Sequence, residues 1–405
     1  MSAQRYQCCI VGGGPAGMMA GLLLARAGVK TVLLEKHADF LRDFRGDTIH
    51  PSTLDVMDEL GLLDDFLKRP HQEVSELSGN LGDRLVKVAD FTRLPTRCKF
   101  LAFMPQWDFL NFLAGEATRS HNFNLMMEAR GVGLIWENGK VDGVRAQTPG
   151  GELEIRADLT IAADGRESRI RRDAGLEVIE LGAPMDVLWL RLTKHASDPH
   201  ETFGYIRDGR IMALIDRSDY WQAAYVIPKG TLAEMHERGL PEFRAQVAAI
   251  VPFLSDRVGE LKSWEDVKLL TVRVNRLKKW YRPGLLCIGD AAHAMSPIGG
   301  VGINLAIQDA VAASNMLGPG LRSGTLGVSD LRAVQRRRET AAKLTQTLQL
   351  FIQSRIIGKV LASGGAPILR RLPEVVRWFP FLARIPGRLV GVGFRPEHVA
   401  RTRVS

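Results

Sequence analysis

The sequence predicts an α/β fold in which a mostly parallel sheet is interrupted by an inserted, mainly antiparallel sheet and followed by helices. Three stretches lead to this prediction. A short apolar run at residues 6–11 is followed by glycines, an Ala- and Leu-rich stretch and a second apolar run, which is the order of a β-α-β unit. Apolar residues alternate with others in segments between about residues 180 and 274, as in antiparallel strands. Residues 329–361 then follow a long helical pattern.

The composition is that of an ordinary globular protein, and it argues against nucleic-acid binding. With 405 residues, the chain is long for a single core, which suggests two folding units. Its formal net charge is +9, but the basic residues are spread along the chain without an interleaved aromatic array. The positive charge is better suited to attracting an anionic dinucleotide or a carboxylated substrate.

The cysteines and the apolar runs predict a cytoplasmic protein. Cys8, Cys9, Cys98 and Cys287 have no zinc-binding or redox spacing, so we expect buried thiols in a reducing compartment. The first apolar run leads into a glycine loop rather than a cleavage site, so we expect no signal peptide. No stretch approaches the ~18 apolar residues of a spanning helix, so we expect no integral membrane span.

The first motif is a glycine-rich turn between a strand and a helix. Gly12, Gly14 and Gly17 fit the G-x-G-x-x-G pattern, which permits a tight turn, close approach of a pyrophosphate and packing of helix on strand. The helix begins near Pro15 and presents free N–H groups to phosphates. Glu35 ends the second strand, where a carboxylate can accept hydrogen bonds from ribose hydroxyls and would repel a 2′-phosphate. The motif predicts a Rossmann-like dinucleotide site but leaves FAD and NAD as alternatives.

The second motif is a buried strand at residues 285–288 that ends in Gly289-Asp290 and continues into a glycine loop at residues 297–304. A carboxylate at the end of a strand can bind a ribityl hydroxyl. The glycines of the loop let backbone lie against a flat ring, with the N–H groups of the next helix facing its polar edge. The alternative is a strand-turn-helix needed only for packing, but a buried aspartate is costly unless something binds it.

A third motif, Ala-Asp-Gly-Arg at residues 163–166, lies in the middle of the chain. The three motifs, in this order and spacing, resemble those of the class A flavoprotein monooxygenases, the group of p-hydroxybenzoate hydroxylase and phenol hydroxylase. The resemblance covers residues 5–335. It implies a Rossmann-like FAD-binding domain of the p-hydroxybenzoate hydroxylase fold, with an inserted antiparallel substrate domain and C-terminal helices.

The resemblance also implies roles for individual residues. Arg45 matches an arginine in a mobile loop beside the flavin, Gln106 matches a flavin-contacting position, and Pro297 falls near the reactive edge of the flavin. Arg45 and Pro297 are therefore the candidate catalytic residues, as groups that position the flavin. The implied FAD contacts are Gly12, Gly14, Pro15, Ala16, Gly17, Glu35, Lys36, Arg45, Gln106, Asp164, Asp290, Gly300, Val301, Gly302, Ile303 and Asn304.

The predicted domains follow from the same resemblance and from the change of pattern along the chain. A discontinuous FAD-binding domain, a substrate-binding domain and a C-terminal helical segment are expected. Their bounds are 1–76, 98–180 and 275–335 for the first, 77–97 and 181–274 for the second, and 336–405 for the third.

The reaction implied by the resemblance is hydroxylation of an aromatic or polyketide-like small molecule with NADPH or NADH and O2, through a flavin C4a-hydroperoxide. Two alternatives remain open. One is an FAD-dependent double-bond reductase or dehydrogenase of the same fold, and the other is a non-catalytic binding protein, which Gly289-Asp290 and its glycine loop argue against. A halogenase is disfavoured because Ala223 and Tyr225 stand where its motif needs tryptophans.

The inserted sheet supplies the candidates for a substrate pocket. Apolar and aromatic side chains there are suited to an apolar substrate, and packing of the sheet explains them equally well. His293 is interpreted as a structural histidine at a helix start, and no acid–base residue is assigned. The candidate pocket residues are Trp189, Arg191, Phe203, Tyr205, Met212, Trp221 and Tyr225.

The basic run at residues 336–338 and the tail at residues 378–394 allow two interpretations. They could dock on a membrane surface. We favour a solvated helix face and a tail that closes over the catalytic domain.

Overall fold

The computed structural model describes residues 5–41, 48–82, 84–199, 203–363, 374 and 378–400. Arg45 lies outside the described residues. In chain order, the strands are β1 (Arg5–Val11), β2 (Thr31–Leu34), β3 (Thr48–Ile49), β4 (Gln72–Val74), β5 (Glu76–Leu81), β6 (Arg84–Asp90), β7 (Leu101–Phe103), β8 (Phe123–Met126), β9 (Arg130–Glu137), β10 (Lys140–Thr148), β11 (Gly151–Ala162), β12 (Val178–Glu180), β13 (Met185–Thr193), β14 (Phe203–Arg207), β15 (Arg210–Asp216), β16 (Tyr220–Pro228), β17 (Lys268–Leu270), β18 (Asn275–Leu277), β19 (Tyr281–Arg282), β20 (Leu285–Cys287) and β21 (His293–Ala294).

The helices of the same residues are α1 (Pro15–Arg26), α2 (Pro51–Glu59), α3 (Leu63–Leu67), α4 (Gln106–Ala117), α5 (Arg169–Asp173), α6 (Leu232–Arg238), α7 (Leu240–Ile250), α8 (Val301–Ser323), α9 (Val328–Ile352), α10 (Gly358–Ser363) and α11 (Arg384–Gly391). A π-helical turn joins α9 to α10. Within the part of the chain described above, no helix combines the length and apolarity that crossing a bilayer requires.

The first layer of the fold is a parallel sheet with strand order β20-β11-β1-β2-β8. Strand β1 lies in the centre and is buried from Cys8 to Val11, because helices α1 and α8 cover it. The cysteines are free and buried, as expected for small apolar residues, and burial raises the pKa of Cys9 to about 12. Since the strands are parallel, their carboxyl ends lie along one edge of the sheet, where ligands of such folds bind.

The second layer is the inserted sheet, with strand order β17-β13-β16-β15-β14-β5-β6. Every neighbouring pair is antiparallel except β14 and β5. Helices α6 and α7 cover one face, where Leu190, Leu214 and Phe243 are buried in a core of their own. Strands β5 and β6 join this sheet from an earlier part of the chain, so the sheet is assembled from two segments. The exact domain bounds stay a prediction.

The C-terminal region is tied to the parallel sheet by buried charges. The Asp309 carboxylate of α8 lies 2.6 Å from His293 Nε2 and 3.0 Å from Arg338 Nε, and all three side chains are at most 1% exposed. Arg338 also lies 3.3 Å from Glu397. Burial opposes the charge of Asp309, but His293 and Arg338 outweigh it and hold the pKa of this carboxyl below its usual value. Arg338 is therefore not part of a solvated helix face.

Replacing Arg338 by Met should strongly destabilise the protein. The substitution preserves much of the volume but leaves Asp309 and Glu397 without their shared buried partner, and breaking a buried pair costs about 3–5 kcal/mol. The free energy of unfolding in urea, followed by circular dichroism, measures the effect. Arg336→Met is the matched control, because Arg336 is exposed on the same helix. Equal unfolding midpoints for the two variants would contradict a structural role for Arg338.

Candidate cofactor site

The three sequence motifs follow three neighbouring parallel strands at the same level of the sheet. Val11 at the end of β1 is in register with Ala162 of β11, and Ala162 is in register with Cys287 of β20. Backbone hydrogen bonds continue past the strands, from Ala163 N to the Val11 carbonyl at 2.8 Å and from Ile288 N to the Ala162 carbonyl at 3.0 Å. The turns after the strands are therefore adjacent, although they are about 150 and 120 residues apart in sequence.

The glycines of the first motif serve two different purposes. Gly12 has φ +108°, and a Cβ on it would lie 2.4 Å from the Ala163 carbonyl oxygen. A Cβ on Gly17 would lie 1.9 Å from the Gly12 carbonyl oxygen. A Cβ on Gly14 would meet no protein atom within 4 Å, so the fold itself does not require a glycine there. The open side of Gly14, next to the uncapped start of α1, fits the approach of a pyrophosphate.

Glu35 faces this glycine turn from the end of β2. Its side chain is buried and accepts hydrogen bonds from the backbone N–H of Gly13 at 2.9 Å and of His37 at 3.1 Å. These contacts hold the carboxylate where the ribose of a dinucleotide is expected. Lys36 is exposed beside it.

Asp290 joins the late motif to the middle one. Its carboxylate lies 3.3 Å from the guanidinium of Arg166, and both side chains are about one-third exposed. The preceding Gly289 has φ +58°, and a Cβ on it would lie 3.0 Å from Ala16 Cβ. The Gly289-Asp290 turn therefore rests against the start of α1, next to the glycine turn. Arg166 is a site residue that the sequence reasoning missed, although it stands inside a motif that had been recognised.

The two carboxylate oxygens of Asp164 differ in their hydrogen bonding. One carboxylate oxygen accepts from the backbone N–H of Arg169 at 2.8 Å and of Ile170 at 3.2 Å, at the start of α5. The other oxygen is buried and has no hydrogen-bond partner among the described residues. Burial raises the pKa of this carboxyl. A ligand hydroxyl donating to the open oxygen would satisfy it, so the residue fits a cofactor contact.

The glycine loop before α8 approaches strand β3 closely. Gly299 has φ +75° and Gly300 has φ +62°, and a Cβ on Gly300 would lie 3.0 Å from Thr48 Oγ1. His50 lies beside the loop, with Nε2 3.0 Å from the Gly300 carbonyl oxygen. A Cβ on Gly302 would meet no protein atom within 4 Å. The loop is thus supported on one side and open on the other, as a flat ring requires.

Two side-chain sets that the sequence reasoning missed hold α8 in place. The Asn304 side-chain oxygen accepts from the hydroxyls of Ser52 and Thr53, both at 2.8 Å, which ties the first turn of α8 to α2. His50 Nδ1 lies 2.7 Å from the Val390 carbonyl oxygen, which ties the same region to α11. Burial lowers the pKa of this imidazole. Only the backbone of Asn304 had been predicted to matter, since side-chain pairing between distant segments leaves no local pattern.

Pro297 is positioned by amides from α9. Gln349 Nε2 donates to the carbonyl oxygens of Ser296 at 3.0 Å and Ile298 at 2.9 Å, on either side of the proline. Gln346, one turn earlier, donates to the Ala294 carbonyl oxygen at 3.1 Å. The spacing of three residues places both amides on one face of the helix. These buried hydrogen bonds fix the backbone that carries Pro297.

The candidate pocket residues divide between the two faces of the inserted sheet. Met212, Trp221 and Tyr225 are buried in the core under α6 and α7, and Tyr205 packs against that core. Trp189 is on the opposite face, where it packs with Ala213. The buried side chains of Met212, Trp221 and Tyr225 face α6 and α7, and a role for them in substrate binding stays a prediction. The side chain of Phe203 lies outside the part of the protein that the structure describes.

The face that carries Trp189 is directed toward the cofactor end of the molecule. Ile215 is on this face, because it alternates with Leu214 of the helix-covered core. It packs against a small apolar cluster that contains Phe103 of β7, and Val390 of α11 packs against the same cluster. Strand β7 pairs with β3, which supports the Gly300 loop, and Gln106 follows β7 at the start of α4. Arg191 lies farther out on this face, exposed and stacked on Tyr220 at 3.8 Å. Trp189 is therefore a pocket candidate on the face that α6 and α7 leave uncovered, and its contact with a substrate stays a prediction.

The two kinds of glycine predict opposite effects of substitution. Gly17→Ala should lower the melting temperature of the cofactor-free protein, because the new methyl group would collide with backbone. Gly14→Val should leave that temperature nearly unchanged and weaken FAD binding at least about tenfold, because its side chain fills space left for the ligand. Thermal denaturation of the apoprotein and FAD titration by fluorescence measure the two effects. Normal FAD affinity in Gly14→Val would show that the pyrophosphate lies elsewhere.

Asp290→Ala should weaken FAD retention without unfolding the protein. Loss of a hydrogen bond to a charged group costs on the order of 1.5–3 kcal/mol, or roughly 10- to 100-fold in the dissociation constant. Asp219→Ala is the control, since Asp219 is 74% exposed on the surface of the inserted sheet. The flavin released on heating, measured per mole of protein, gives the FAD content. Equal content in the two variants would remove Asp290 from the cofactor site.

Comparison with known proteins identifies the family of the chain. The family model described as FAD binding domain matches residues 5–347. A 6-methylpretetramide 4-monooxygenase from Streptomyces rimosus is 36% identical over 377 residues, which are 90% of this chain and 89% of the relative. A digeranylgeranylglycerophospholipid reductase from Methanothrix thermoacetophila is 26% identical over 403 residues, which are 92% of this chain and 98% of the relative.

A solved structure gives the fold. OxyS, an anhydrotetracycline hydroxylase from Streptomyces rimosus, matches with a TM-score of 0.75 at 22% identity and covers 96% of this chain and 76% of that chain. The fold predicted from the three motifs, that of the p-hydroxybenzoate hydroxylase group, is thus confirmed. The family match over most of the chain and the near-full-length likeness to a monooxygenase lead to one assignment. The chain belongs to the FAD-binding-domain family of class A flavoprotein monooxygenases.

Proposed function

We propose that the protein hydroxylates an aromatic or polyketide-like small molecule with O2 and NADPH or NADH. The observation that carries this proposal is the 36% identity to 6-methylpretetramide 4-monooxygenase over nine-tenths of the chain. The name of that relative gives 6-methylpretetramide as its substrate, and we propose a substrate of the same chemical type. The convergence of the three motifs supports FAD as the cofactor.

The residues of this chain would bind and position rather than react. A bound flavin supplies the redox and oxygen chemistry. Gly14, Asp290 and the open side of Gly302 would hold its phosphates, ribityl chain and ring. The backbone at Pro297, fixed by Gln349, would set the distance between the ring and the substrate. Arg45 keeps the role implied by the resemblance, beside the flavin.

The substrate would bind between the Gly300 loop and the inserted sheet. Trp189, Ala213 and Ile215 give this face of the sheet an apolar surface that suits a fused or substituted ring. An apolar surface also excludes water from the reacting centre, which limits wasteful oxidation of the reduced cofactor. The net charge of +9 favours the approach of an anionic co-substrate such as NADPH or NADH.

Labelled oxygen tests the proposed reaction directly. The purified holoenzyme, supplied with NADPH or NADH under 18O2, is assayed with 6-methylpretetramide and with simple phenols. We expect substrate-stimulated oxidation of the nicotinamide and a product heavier by one 18O atom, detected by mass spectrometry. Nicotinamide oxidation with a product that contains no label would contradict the proposal.

A flavin-dependent reductase is the second candidate, because the relative named digeranylgeranylglycerophospholipid reductase matches almost end to end at 26% identity. A reductase would saturate a double bond and would work without oxygen. The same assay under anaerobic conditions, with a prenylated lipid as substrate, distinguishes it. A product heavier by two hydrogen atoms would favour this candidate over the hydroxylase.

Trp189→Ala should raise the KM for the organic substrate without changing FAD content. Loss of a large aromatic contact costs about 1.5–3 kcal/mol, or roughly 10- to 100-fold in binding. Trp136→Ala is the matched control, because Trp136 is 45% exposed on the β9–β10 hairpin. Steady-state kinetics of product formation gives the KM. A KM that is unchanged in Trp189→Ala would place the substrate away from this face.

A further inference from the structure

The C-terminal region exposes an unusual concentration of large apolar side chains. Trp378 is 79% exposed, Phe379 52%, Phe381 54% and Ile385 57%. They fall within eight residues of one another, and the rings of Phe379 and Phe381 are 6.0 Å apart. Single exposed apolar residues are normal on a protein surface, but a contiguous group marks a surface that binds something.

Helix α11 fixes the direction in which this group points. Gly387 and Gly391 are buried against the body of the protein, and a Cβ on Gly387 would lie 2.1 Å from the Asp90 carbonyl oxygen. No larger residue fits the inner side, so the helix cannot turn its other face inward. Arg384, Ile385 and Arg388 are exposed on the outer side. We call the outward set Trp378, Phe379, Phe381, Arg384, Ile385 and Arg388 the C-terminal face.

Strand β6, which lies next to the C-terminal face, also carries exposed apolar side chains. Strand β6 is the edge of the inserted sheet and contacts both α11 and the turn at residues 380–383. Leu85 and Val88 of this strand are 61% and 46% exposed. These two exposed side chains thus belong to the strand against which α11 packs.

The segment that carries this apolar surface is also rich in basic residues in the sequence. Residues 353–395 contain eight basic residues and one acidic residue, Glu374, a net charge of +7 against +9 for the whole chain. Glu374 lies 3.7 Å from Arg84, and the mostly buried Asp90 lies 4.0 Å from Arg384, so both nearby carboxylates face an arginine. The basic residues are Arg355, Lys359, Arg370, Arg371, Arg377, Arg384, Arg388 and Arg395.

We propose that the C-terminal face docks on the surface of an anionic lipid bilayer. Aromatic side chains flanked by arginines are suited to the boundary between headgroups and acyl chains, where the rings insert and the guanidinium groups contact phosphates. The concentration of one sign of charge in the same segment complements a negatively charged leaflet. A protein partner would need a matching acidic and apolar surface, whereas a bilayer supplies both at any position. The membrane contact is thus made by this outer face, and not by Arg338, which is buried.

Vesicle sedimentation with the FAD-loaded protein tests the proposal. The probes are vesicles of phosphatidylcholine alone and vesicles that also contain phosphatidylglycerol. We expect binding to the anionic vesicles, weaker binding to the neutral ones, and loss of binding as salt is raised. A wild-type protein that stays in the supernatant with both kinds of vesicle would overturn the proposal.

Two variants separate the apolar and the charged contributions. Trp378→Ala combined with Phe381→Ala should weaken binding to anionic vesicles about tenfold or more. Arg384→Gln combined with Arg388→Gln should weaken it about fivefold for each arginine at low salt and should remove the preference for anionic lipid. Trp136→Ala and Arg238→Gln are the matched controls, because both residues are exposed elsewhere on the surface.

The folding of each variant and the oligomeric state of the protein are measured as well. FAD content and melting temperature show whether each variant is folded, and the single substitution Trp378→Ser, at the most exposed position, is used if the double variant is not. Equal losses of vesicle binding for Trp136→Ala and for the double variant of Trp378 and Phe381 would overturn the proposal. A wild-type dimer that becomes monomeric in this double variant, without any vesicle binding, would also overturn it, since the face would then join two copies of the chain.

Discussion

The turn after β1 approaches the turn after β11 so closely that no side chain fits between them. A Cβ on Gly12 would lie 2.4 Å from the Ala163 carbonyl oxygen, and both turns continue the hydrogen bonds of the sheet. This contact holds the first and middle motifs at one level. The late motif joins them because Gly289 rests on Ala16. In each motif a glycine with positive φ turns the chain just beyond the strand, at Gly12, Gly165 and Gly289.

Helices α9 and α11 of the C-terminal region also make contacts that support the candidate site. Arg338 and Asp309 connect α9 to the helix that follows the Gly300 loop. Gln349 donates to the backbone beside Pro297. The Val390 carbonyl oxygen lies 2.7 Å from His50 Nδ1 beside the loop. The described residues of α9 and α11 therefore contact the part of the protein that carries the candidate site. They would support the end of the site proposed to hold the flavin ring, while the glycine turns would support the end proposed to hold the pyrophosphate.

The sequence was sufficient for the parts of the site that are local in the chain. Glycine spacing, a strand end and an adjacent helix start are encoded within a few residues, so Gly12, Glu35 and Asp290 were recognisable. Contacts between segments that are far apart in the sequence were not recognisable in this way. Asp164 had the right motif, yet one of its oxygens caps α5, and Arg338 looked like part of a solvated basic run although it is fully buried.

In the inserted sheet, the sequence could not show which side chains face the proposed cofactor site. Alternation along a strand tells which residues share a face but not which face is turned toward the cofactor. Trp189 and Trp221 were equivalent in the sequence, and only α7, which covers the Trp221 face, distinguishes them. An aromatic residue in such a sheet can be assigned to a pocket only when the packing of both faces is known.

Helix α11 lies between the loop proposed to hold the flavin ring and the C-terminal face proposed to bind a bilayer. The Val390 carbonyl oxygen near its end lies 2.7 Å from His50 beside the Gly300 loop, while Arg384 and Arg388 are exposed to solvent. A helix with its side chains is about 10–12 Å across. A bilayer in contact with the outer side of α11 would therefore lie only about one helix diameter from the loop proposed to hold the flavin ring.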